Sequence, residues 1–179
     1  MRVIAGRLRG RRLVAPPGEA TRPTSDRVRE SLFSLLGSLE GVRVLDLFAG
    51  SGALGIEALS RGAATVDFVD SAPAAVRAVR ANLDALGVVE GVRLRRQDAR
   101  AFLRAARTAG HEYDLVFLDP PYRLAAVLGR ELSPALAELL AANGRVVSES
   151  DRRTPLDLGL PMTDERRYGD TLIRIHEHE

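Results

Sequence analysis

The sequence predicts an α/β fold in which helices cover both faces of a doubly wound, mostly parallel sheet. From residue 42 onward, short apolar segments alternate with segments of helical length. Parallel strands need crossover connections of this kind, and helices usually provide them. Near the C-terminus two strand-like segments flank Gly169-Asp170, a dipeptide typical of an antiparallel hairpin turn. We therefore expect a parallel sheet that ends in one antiparallel hairpin.

The first 40 residues predict a small appendage ahead of this domain. Residues 2–14 have β-branched ends and two turn glycines, which indicates a short hairpin. Thr24 is placed to cap a helix whose apolar positions, including Val28 and Leu32, share one face, and Gly37 lies near its end. We expect a hairpin and helix over residues 1–40 and the main domain over residues 41–179.

Within the main domain, the apolar content of each strand predicts its place in the sheet. The segment 113–119 is almost continuously apolar, as a central strand should be, whereas 92–97 alternates apolar residues with arginines, as an edge should. With the terminal hairpin, these features favour the Rossmann-like order 3-2-1-4-5-7-6. The expected strands are 42–48, 65–70, 92–97, 113–119 and 145–149, and the expected helices are 53–61, 72–86, 99–109 and 124–142.

Composition excludes several classes of protein. At 179 residues and 45% hydrophobic content, the chain can bury one sizeable core. It has no cysteine, so disulfides, thiolate nucleophiles and Cys-ligated metals are excluded. All 26 basic residues are arginine, so lysine Schiff-base and P-loop chemistry are excluded as well. No apolar run approaches the roughly 18 residues of a membrane span, and no signal-like segment opens the chain. We expect a soluble, cytoplasmic, monomeric protein without a metal.

Positive charge is concentrated at the N-terminus. Residues 1–30 hold eight arginines and three acids, a net charge of +5, whereas the remaining residues hold 18 arginines and 21 acids, a net charge of −3. Such a local excess is typical of a surface that contacts nucleic acid, although a solvated hairpin has the same composition.

A glycine-rich loop follows the first strand of the main domain. Ala49, Gly50 and Gly52 lie between that strand and a helix, and Asp70 ends the next strand, where a carboxylate can accept ribose hydroxyls. A nicotinamide dinucleotide and S-adenosylmethionine both fit this pattern. Asp46, just before the loop, favours S-adenosylmethionine, because a carboxylate repels a pyrophosphate and attracts the methionine amine.

The third strand ends in Gln97, Asp98 and Ala99, where a side-chain acceptor can meet an adenine amino group. Asp98 also precedes a helix, so an ordinary helix cap is an equal alternative.

The tetrapeptide at residues 119–122, Asp-Pro-Pro-Tyr, ends the apolar fourth strand and predicts the chemistry. Strands 1 and 4 flank the point where the strand order reverses, so the tetrapeptide and the glycine loop should share one crevice. There Asp119 and the Pro120 carbonyl could accept hydrogen bonds from a planar amino group, while Tyr122 stacks on its ring. The alternative is a strand-to-loop turn with an aromatic plug.

The chain resembles the RsmD family of 16S rRNA (guanine-N2)-methyltransferases over nearly its whole length. The resemblance rests on RVIAGRLRGRRL, TRPTSDRVRESLF, DLFAGSGALGIEALSRGA, DPPY and YGDT. It implies methyl transfer from S-adenosylmethionine to N2 of one guanine in 16S rRNA, within an assembling or assembled 30S subunit, with S-adenosylhomocysteine as product. The residues it places at the cofactor are Asp46, Gly50, Gly52, Asp70 and Asp98, and at the amine Asp119, Pro120 and Tyr122.

The resemblance also gives the N-terminal arginines a role at rRNA phosphates. The arginines concerned are Arg2, Arg7, Arg9, Arg11, Arg12, Arg22 and Arg27. Arg27 could instead pair with Glu30 on the helix surface. Four alternative functions remain: N6-adenine methylation, glutamine methylation, nicotinamide-dependent oxidoreduction, and a non-catalytic RNA-binding role in ribosome assembly.

Overall fold

A computed structural model of the protein describes residues 1–17 and 25–178, except for the side chains of residues 122–126. Five helices and seven strands follow one another along these residues. The helices are α1 (Asp26–Leu36), α2 (Ala53–Ser60), α3 (Pro73–Leu86), α4 (Ala99–Thr108) and α5 (Tyr122–Leu139). The strands are β1 (Arg43–Leu47), β2 (Thr65–Asp70), β3 (Val92–Arg96), β4 (Tyr113–Leu118), β5 (Leu140–Asp151), β6 (Met162–Tyr168) and β7 (Thr171–Glu177).

All seven strands form one sheet in the order β3-β2-β1-β4-β5-β7-β6. The neighbours from β3 to β5 pair in parallel, and β7 pairs antiparallel with both β5 and β6. The predicted strand order is therefore confirmed, including the arginine-rich edge strand and the terminal hairpin around Gly169-Asp170. The reversal of order places β1 and β4 side by side at the centre of the sheet.

Most elements differ from the predicted bounds by one or two residues, and two larger differences concern the cap of α1 and the junction of α5 with β5. Helix α1 is capped by Ser25, whose hydroxyl accepts a bond from Val28 N–H at 3.3 Å, and the predicted cap Thr24 lies outside the described residues. Helix α5 was expected to continue to residue 142, but the chain enters β5 at Leu140, which pairs with Tyr113 of β4. The pairing register then shifts, and Asn143 adopts a positive φ of 60°. Strand pairing thus overrides the helical propensity of this apolar segment.

Each face of the sheet carries its own apolar core. Helices α1, α2 and α3 contribute to the core on one face, and α4 and α5 contribute to the other. The N-terminal hairpin has a single backbone bridge, between Arg2 and Arg12, yet its residues Val3, Leu8 and Leu13 are buried in the first core. The hairpin therefore packs directly on the main domain.

Buried polar groups of α2 hold the hairpin in place. The carboxylate of Glu57 accepts bonds from the backbone N–H groups of Ile4 and Ala5 at 2.7 and 3.0 Å. Gly6 has a φ of +78°, and an added Cβ would lie 1.7 Å from the carbonyl oxygen of Ser60, so only glycine fits. The turn of the hairpin therefore lies at the C-terminal end of α2. Because α2 has eight residues, this end is about 12 Å from the glycine loop where α2 begins.

Candidate active site at the carboxyl edge of the sheet

Four carboxylates lie at the carboxyl ends of neighbouring parallel strands and point to one face of the sheet. Side chains alternate along a strand, so a residue two positions after a core residue shares its face. In each of the four strands, the residue two positions earlier belongs to the core beneath α1, α2 and α3. The carboxylates are Asp70 after Phe68, Asp46 after Val44, Asp119 after Phe117 and Glu149 after Val147.

The glycine loop curves over this edge with an unusual backbone. Gly50 and Gly52 have φ values of +55° and +77°, and Phe48, which is not glycine, has φ +68°. Phe48 and Ala49 both donate their N–H groups to the carbonyl of Val69 on β2. A Cβ added to Gly50 would meet no atom of the described residues within 4 Å. The loop therefore presents bare backbone to open space, as a ligand cradle requires.

The third glycine of the motif serves packing and also binds a carboxylate. A Cβ on Gly55 would lie 2.4 Å from the Phe68 ring, so glycine lets α2 approach β2 closely. The N–H of Gly55 donates to Asp46 at 2.9 Å, and Asp46 is only 3% exposed. Asp46 is thus fixed beneath the loop.

Two of these carboxylates are held toward the protonated form. Burial raises the pKa of Asp46 to about 7, with a further contribution from the negative charge of Asp70, although the bond from Gly55 opposes the shift. Burial also raises the pKa of Asp119 well above its usual range, and the charges of Glu149 and Asp46 add to the effect. Carboxylates in such an environment favour a cation or an amino group as a neighbour.

The backbone fixes both oxygens of Asp70. One accepts the N–H of Gly50 at 2.9 Å and the other accepts the N–H of Ala72 at 2.8 Å. Asp98 caps α4, because its Oδ1 accepts the N–H of Ala101 at 3.1 Å. The capping alternative for Asp98 is therefore observed. Ala99 is the buried first residue of α4.

The tetrapeptide lies beside the glycine loop, as its sequence position predicted. Asp46 pairs in register with Phe117, so Asp119 follows directly beyond this pair on the adjacent strand. Pro120 is buried and Pro121 is the N-cap residue of α5, so the chain turns from strand to helix within three residues. Tyr122 begins α5, and its side chain lies outside the described residues.

Glu149 is a member of this site that the sequence reasoning missed. It is 5% exposed, near the end of β5, and its charge contributes to the raised pKa of Asp119. The sequence contained a signal for it. The apolar residues Val146 and Val147 are followed by polar residues at 148–151, as often happens where a strand ends at a ligand site.

Helix α1 brings the N-terminus to the same edge. Its last residue, Leu36, accepts a bond from Arg145 in β5, and Phe33 contacts the ring of Phe117 in β4, with 5.6 Å between ring centroids. Since α1 ends beside the start of the regular β4–β5 pairing, its first turn must lie toward the carboxyl edge. Arg27 is exposed there, and the described residues show no ion pair between it and Glu30.

A second residue that the sequence reasoning missed anchors this arrangement. Arg29 is completely buried, and its Nη2 donates to the Arg2 carbonyl and to Asp26, both at 2.6 Å. Although burial acts against ionisation of Asp26, Arg29 holds the pKa of that carboxyl below its usual value. The sulfur of Met1 accepts a bond from Ser51 Oγ of the glycine loop at 3.5 Å. Arg29 thus fixes the first residues of the chain beside the loop.

The structure separates the other predicted RNA-binding arginines. Arg2 lies at the glycine-loop end of the hairpin, 3.3 Å from Asp26. Arg11 donates to the carbonyl of Ala85 near the end of α3. Arg7 and Arg9 belong to the turn beside Ser60, away from the crevice. Arg12 is exposed at the bridge to Arg2, and Arg22 lies outside the described residues.

No group of three or more histidine, cysteine, aspartate or glutamate side chains among the described residues is arranged to hold a metal ion. No helix in the same residues combines the length and hydropathy needed to cross a membrane.

Comparison with known proteins agrees with this geometry. A family model described as "Conserved hypothetical protein 95" matches residues 1–177. "Putative rRNA methyltransferase YlbH" of Bacillus subtilis is 41% identical over 99% of this chain and 98% of that protein. "Ribosomal RNA small subunit methyltransferase D" of Escherichia coli K12 is 38% identical over 100% of this chain and 90% of its own length.

Solved structures of related proteins share this fold. The "Putative methyltransferase yhhF" of Escherichia coli superposes with a TM-score of 0.84 at 35% identity, covering 100% of this chain and 98% of that one. The same fold occurs in the "SAM Dependent Methyltransferase from Agrobacterium tumefaciens", which superposes with a TM-score of 0.63 at 19% identity, covering 78% of this chain and 57% of that one. The full-length match to the family model and these identities show that the chain belongs to the Conserved hypothetical protein 95 family, the RsmD family that its motifs resemble.

Proposed function

We propose that this protein transfers a methyl group from S-adenosylmethionine to the exocyclic N2 of one guanine in 16S rRNA. The observation that carries the proposal is the position of Asp119. This carboxylate, with its raised pKa, lies on the strand adjacent to Asp46 and the glycine loop. An amino group held at Asp119 would therefore lie beside a cofactor held by the loop.

The residues of the crevice fit the cofactor. Asp46 is a buried carboxylate under the open face of Gly50, so the methionine amine would provide the cation that its raised pKa calls for. Asp70, fixed by two backbone bonds, would accept hydrogen bonds from the ribose hydroxyls. Asp98 and Ala99, at the start of α4 just after the next strand, would contact the adenine. S-adenosylmethionine, when bound, supplies a methyl group on an electrophilic sulfonium.

Asp119 and Pro120 prepare the nitrogen for attack. The lone pair of an exocyclic guanine nitrogen is delocalised into the ring, which makes it a poor nucleophile. Hydrogen bonds from its two protons to the Asp119 carboxylate and the Pro120 carbonyl would favour a pyramidal nitrogen and direct its lone pair. Methyl transfer to this nitrogen would release one amino proton. The ionised form of Asp119 would accept it, and its raised pKa makes that form a stronger base than an ordinary carboxylate. Tyr122 would stack on the base.

The substrate assignment is supported by the relatives and by charge. Both curated relatives carry rRNA methyltransferase in their names. Arg2 and Arg27 flank the crevice, and Arg7, Arg9, Arg11 and Arg12 extend the positive charge along the hairpin. A stacked or paired guanine cannot present N2 to such a crevice, so the target nucleotide should be unpaired or flipped out. We place the reaction in the cytoplasm, on an assembling or assembled 30S subunit, with the enzyme as a monomer.

The test is to incubate the protein with S-adenosylmethionine and 30S subunits from cells that lack its gene. The expected result is N2-methylguanosine after nuclease digestion of the 16S rRNA. Methyl groups in N6-methyladenine or methylglutamine would show that the tetrapeptide holds a different amino group. RNA binding without any methyl transfer would favour an assembly factor. Stabilisation by a nicotinamide dinucleotide but not by S-adenosylhomocysteine would favour an oxidoreductase.

A further inference from the structure

The exposed arginines of the protein differ in whether a carboxylate neutralises them. Beyond residue 104, nearly every described arginine makes an ion pair. These arginines are Arg107, Arg130, Arg152, Arg153, Arg166, Arg167 and Arg174. The exception, Arg145, donates to the carbonyl of Leu36. Arg77, Arg80 and Arg96 are exposed and have no ion pair to any described residue. Arg95 and Arg104 are likewise exposed and unpaired among the described residues, but they belong to the other face of the sheet. Arg77, Arg80 and Arg96 therefore represent unpaired positive charge on the face that carries the crevice.

These three arginines flank the carboxyl edge where the crevice lies. Arg96 is the last residue of the edge strand β3 and pairs in register with Asp70, so it reaches the same edge and the same face as that carboxylate. Helix α3 starts just after β2 at this edge and contacts β3. Arg77 and Arg80 are the fifth and eighth of its 14 residues, three residues apart on its exposed face. We call Arg77, Arg80 and Arg96 the α3 rim.

No acidic residue of α3 forms an ion pair with the α3 rim. The only acid in α3 is Asp84, four residues after Arg80, and no ion pair joins the two. By contrast, Arg93 on the same edge strand is bound to Asp67. Free arginines beside a ligand crevice, on a protein with a local charge imbalance, are the arrangement that binds phosphate groups.

The α3 rim is also better placed for the target than the hairpin turn. Arg7 and Arg9 lie beside Ser60 at the far end of α2, whereas the rim begins at the edge that carries Asp70. An RNA strand that delivers one nucleotide into the crevice must cross this edge. Its neighbouring phosphates would pass within reach of long arginine side chains there.

We propose that the α3 rim is a second RNA-binding surface, which holds the phosphates flanking the target nucleotide on the cofactor side of the crevice. This inference rests on the proposed function, since it extends the same RNA-binding site. It assigns the contacts to the RNA backbone, so the rim contributes affinity and position without reading the sequence.

The test compares two double variants of equal charge change. R77Q/R80Q removes two free arginines of the α3 rim, and R107Q/R130Q removes two exposed arginines of α4 and α5 that pair with Glu138 and Asp157 on the other face of the sheet. Binding to 30S subunits from cells lacking the gene, and to naked 16S rRNA, is measured as a function of salt. For R77Q/R80Q we expect affinity to fall about tenfold and the salt slope to decrease by roughly 1.4 to 1.8, the contribution of two phosphate contacts. For R107Q/R130Q we expect less than a twofold change.

The possible outcomes distinguish a failure of this inference from a failure of the proposed function. If the unaltered protein neither binds nor methylates rRNA, the proposed function is wrong, and the rim proposal is wrong with it. If it methylates rRNA but the two variants bind alike, only the rim proposal is wrong. If R77Q/R80Q lost affinity for 30S particles but not for naked rRNA, the rim proposal would also be overturned. The rim would then bind an acidic protein surface of the particle and not RNA. Equal S-adenosylhomocysteine affinity in all three proteins, together with equal melting temperatures, is the expected sign that fold and cofactor site are intact.

Discussion

Two sets of carboxylates belong to the strands of the sheet or directly follow them, and they differ in what surrounds them. Asp67, in the middle of β2, accepts bonds from Nε and Nη2 of Arg93 and from the hydroxyl of Tyr113. Asp46 and Asp119, at the carboxyl edge, face other carboxylates, and the pKa of each is raised. A buried carboxylate with a cationic partner stabilises the fold, whereas one without such a partner costs stability until a ligand arrives. The difference separates Asp67, which the fold itself pairs, from Asp46 and Asp119, which we propose bind the ligands.

The largest expected effect is that of Asp119→Ala on methyl transfer. Removing the acceptor that orients the amino group should lower kcat by at least about 100-fold, the scale seen when one charge-stabilising group is lost from an active site. Single-turnover methylation of 30S subunits measures it. Because Asp119 is an unfavourably placed carboxylate, the melting temperature should stay the same or rise.

Asp119→Asn gives a matched control, since it keeps the shape and one amide oxygen that can accept a bond. It should retain more activity than the alanine variant. Unchanged methylation by Asp119→Ala would show that this carboxylate has no part in the reaction. A marked loss of stability would place Asp119 with Asp67 among the structural carboxylates.

The complementary change, Asp67→Asn, should act on stability and leave the chemistry alone. It removes the charge that binds Arg93 and weakens the acceptor for the buried hydroxyl of Tyr113, at a cost of about 2 kcal/mol. For a chain of this size that corresponds to a fall of roughly 4 to 8 °C in melting temperature. Thermal unfolding measures the loss, and kcat of the folded fraction should match that of the unaltered protein. A fall in kcat without a fall in melting temperature would contradict the assignment of Asp67 to structure alone.

The sequence predicted the position of three carboxylates at the carboxyl edge but did not predict the pairing of Asp67, and there is a physical reason. Asp46, Asp70 and Asp119 end apolar strands, and the carboxyl edge of a parallel sheet is where ligands bind, so their local pattern was informative. Asp67 and Arg93 are 26 residues apart and meet only because β2 and β3 pair in one register. The same holds for Glu57, which binds the hairpin backbone, and for Arg29, which binds Arg2. Long-range pairing of charges cannot be read from a local pattern.

Cofactor affinity should depend on pH through Asp46. With a pKa of about 7, this carboxyl is protonated at pH 6 and ionised at pH 8, and only the ionised form attracts the methionine amine. S-adenosylhomocysteine should therefore bind about tenfold more tightly at pH 8 than at pH 6, which calorimetry measures. In the free protein the sign is opposite. Because the folded pKa exceeds the ordinary value of 3.8, stability contributed by Asp46 is present below pH 4 and is lost as the pH rises through 7.

Asp46→Asn separates this effect from other titrations. The variant should lose both the pH dependence of cofactor binding and the corresponding slope in melting temperature between pH 4 and 7. An unchanged pH profile in Asp46→Asn would assign the dependence to another carboxyl of the cluster, Asp119 or Glu149.

The smallest expected effect is that of Arg93→Gln, the partner change to Asp67→Asn. Arg93 is 49% exposed whereas Asp67 is 3% exposed, so solvent screens the arginine and its loss removes only part of the pairing. Exposed ion pairs contribute about 0 to 1 kcal/mol, and the Tyr113 hydroxyl would still donate to Asp67. We expect a fall of less than about 4 °C in melting temperature, smaller than for Asp67→Asn, with kcat and cofactor affinity unchanged. A larger fall in melting temperature for Arg93→Gln than for Asp67→Asn would mean that the Asp67 carboxylate without its arginine destabilises the interior. Asp67 without its arginine would then destabilise the fold as Asp46 and Asp119 do, so that only the cationic partner would distinguish the two sets of carboxylates.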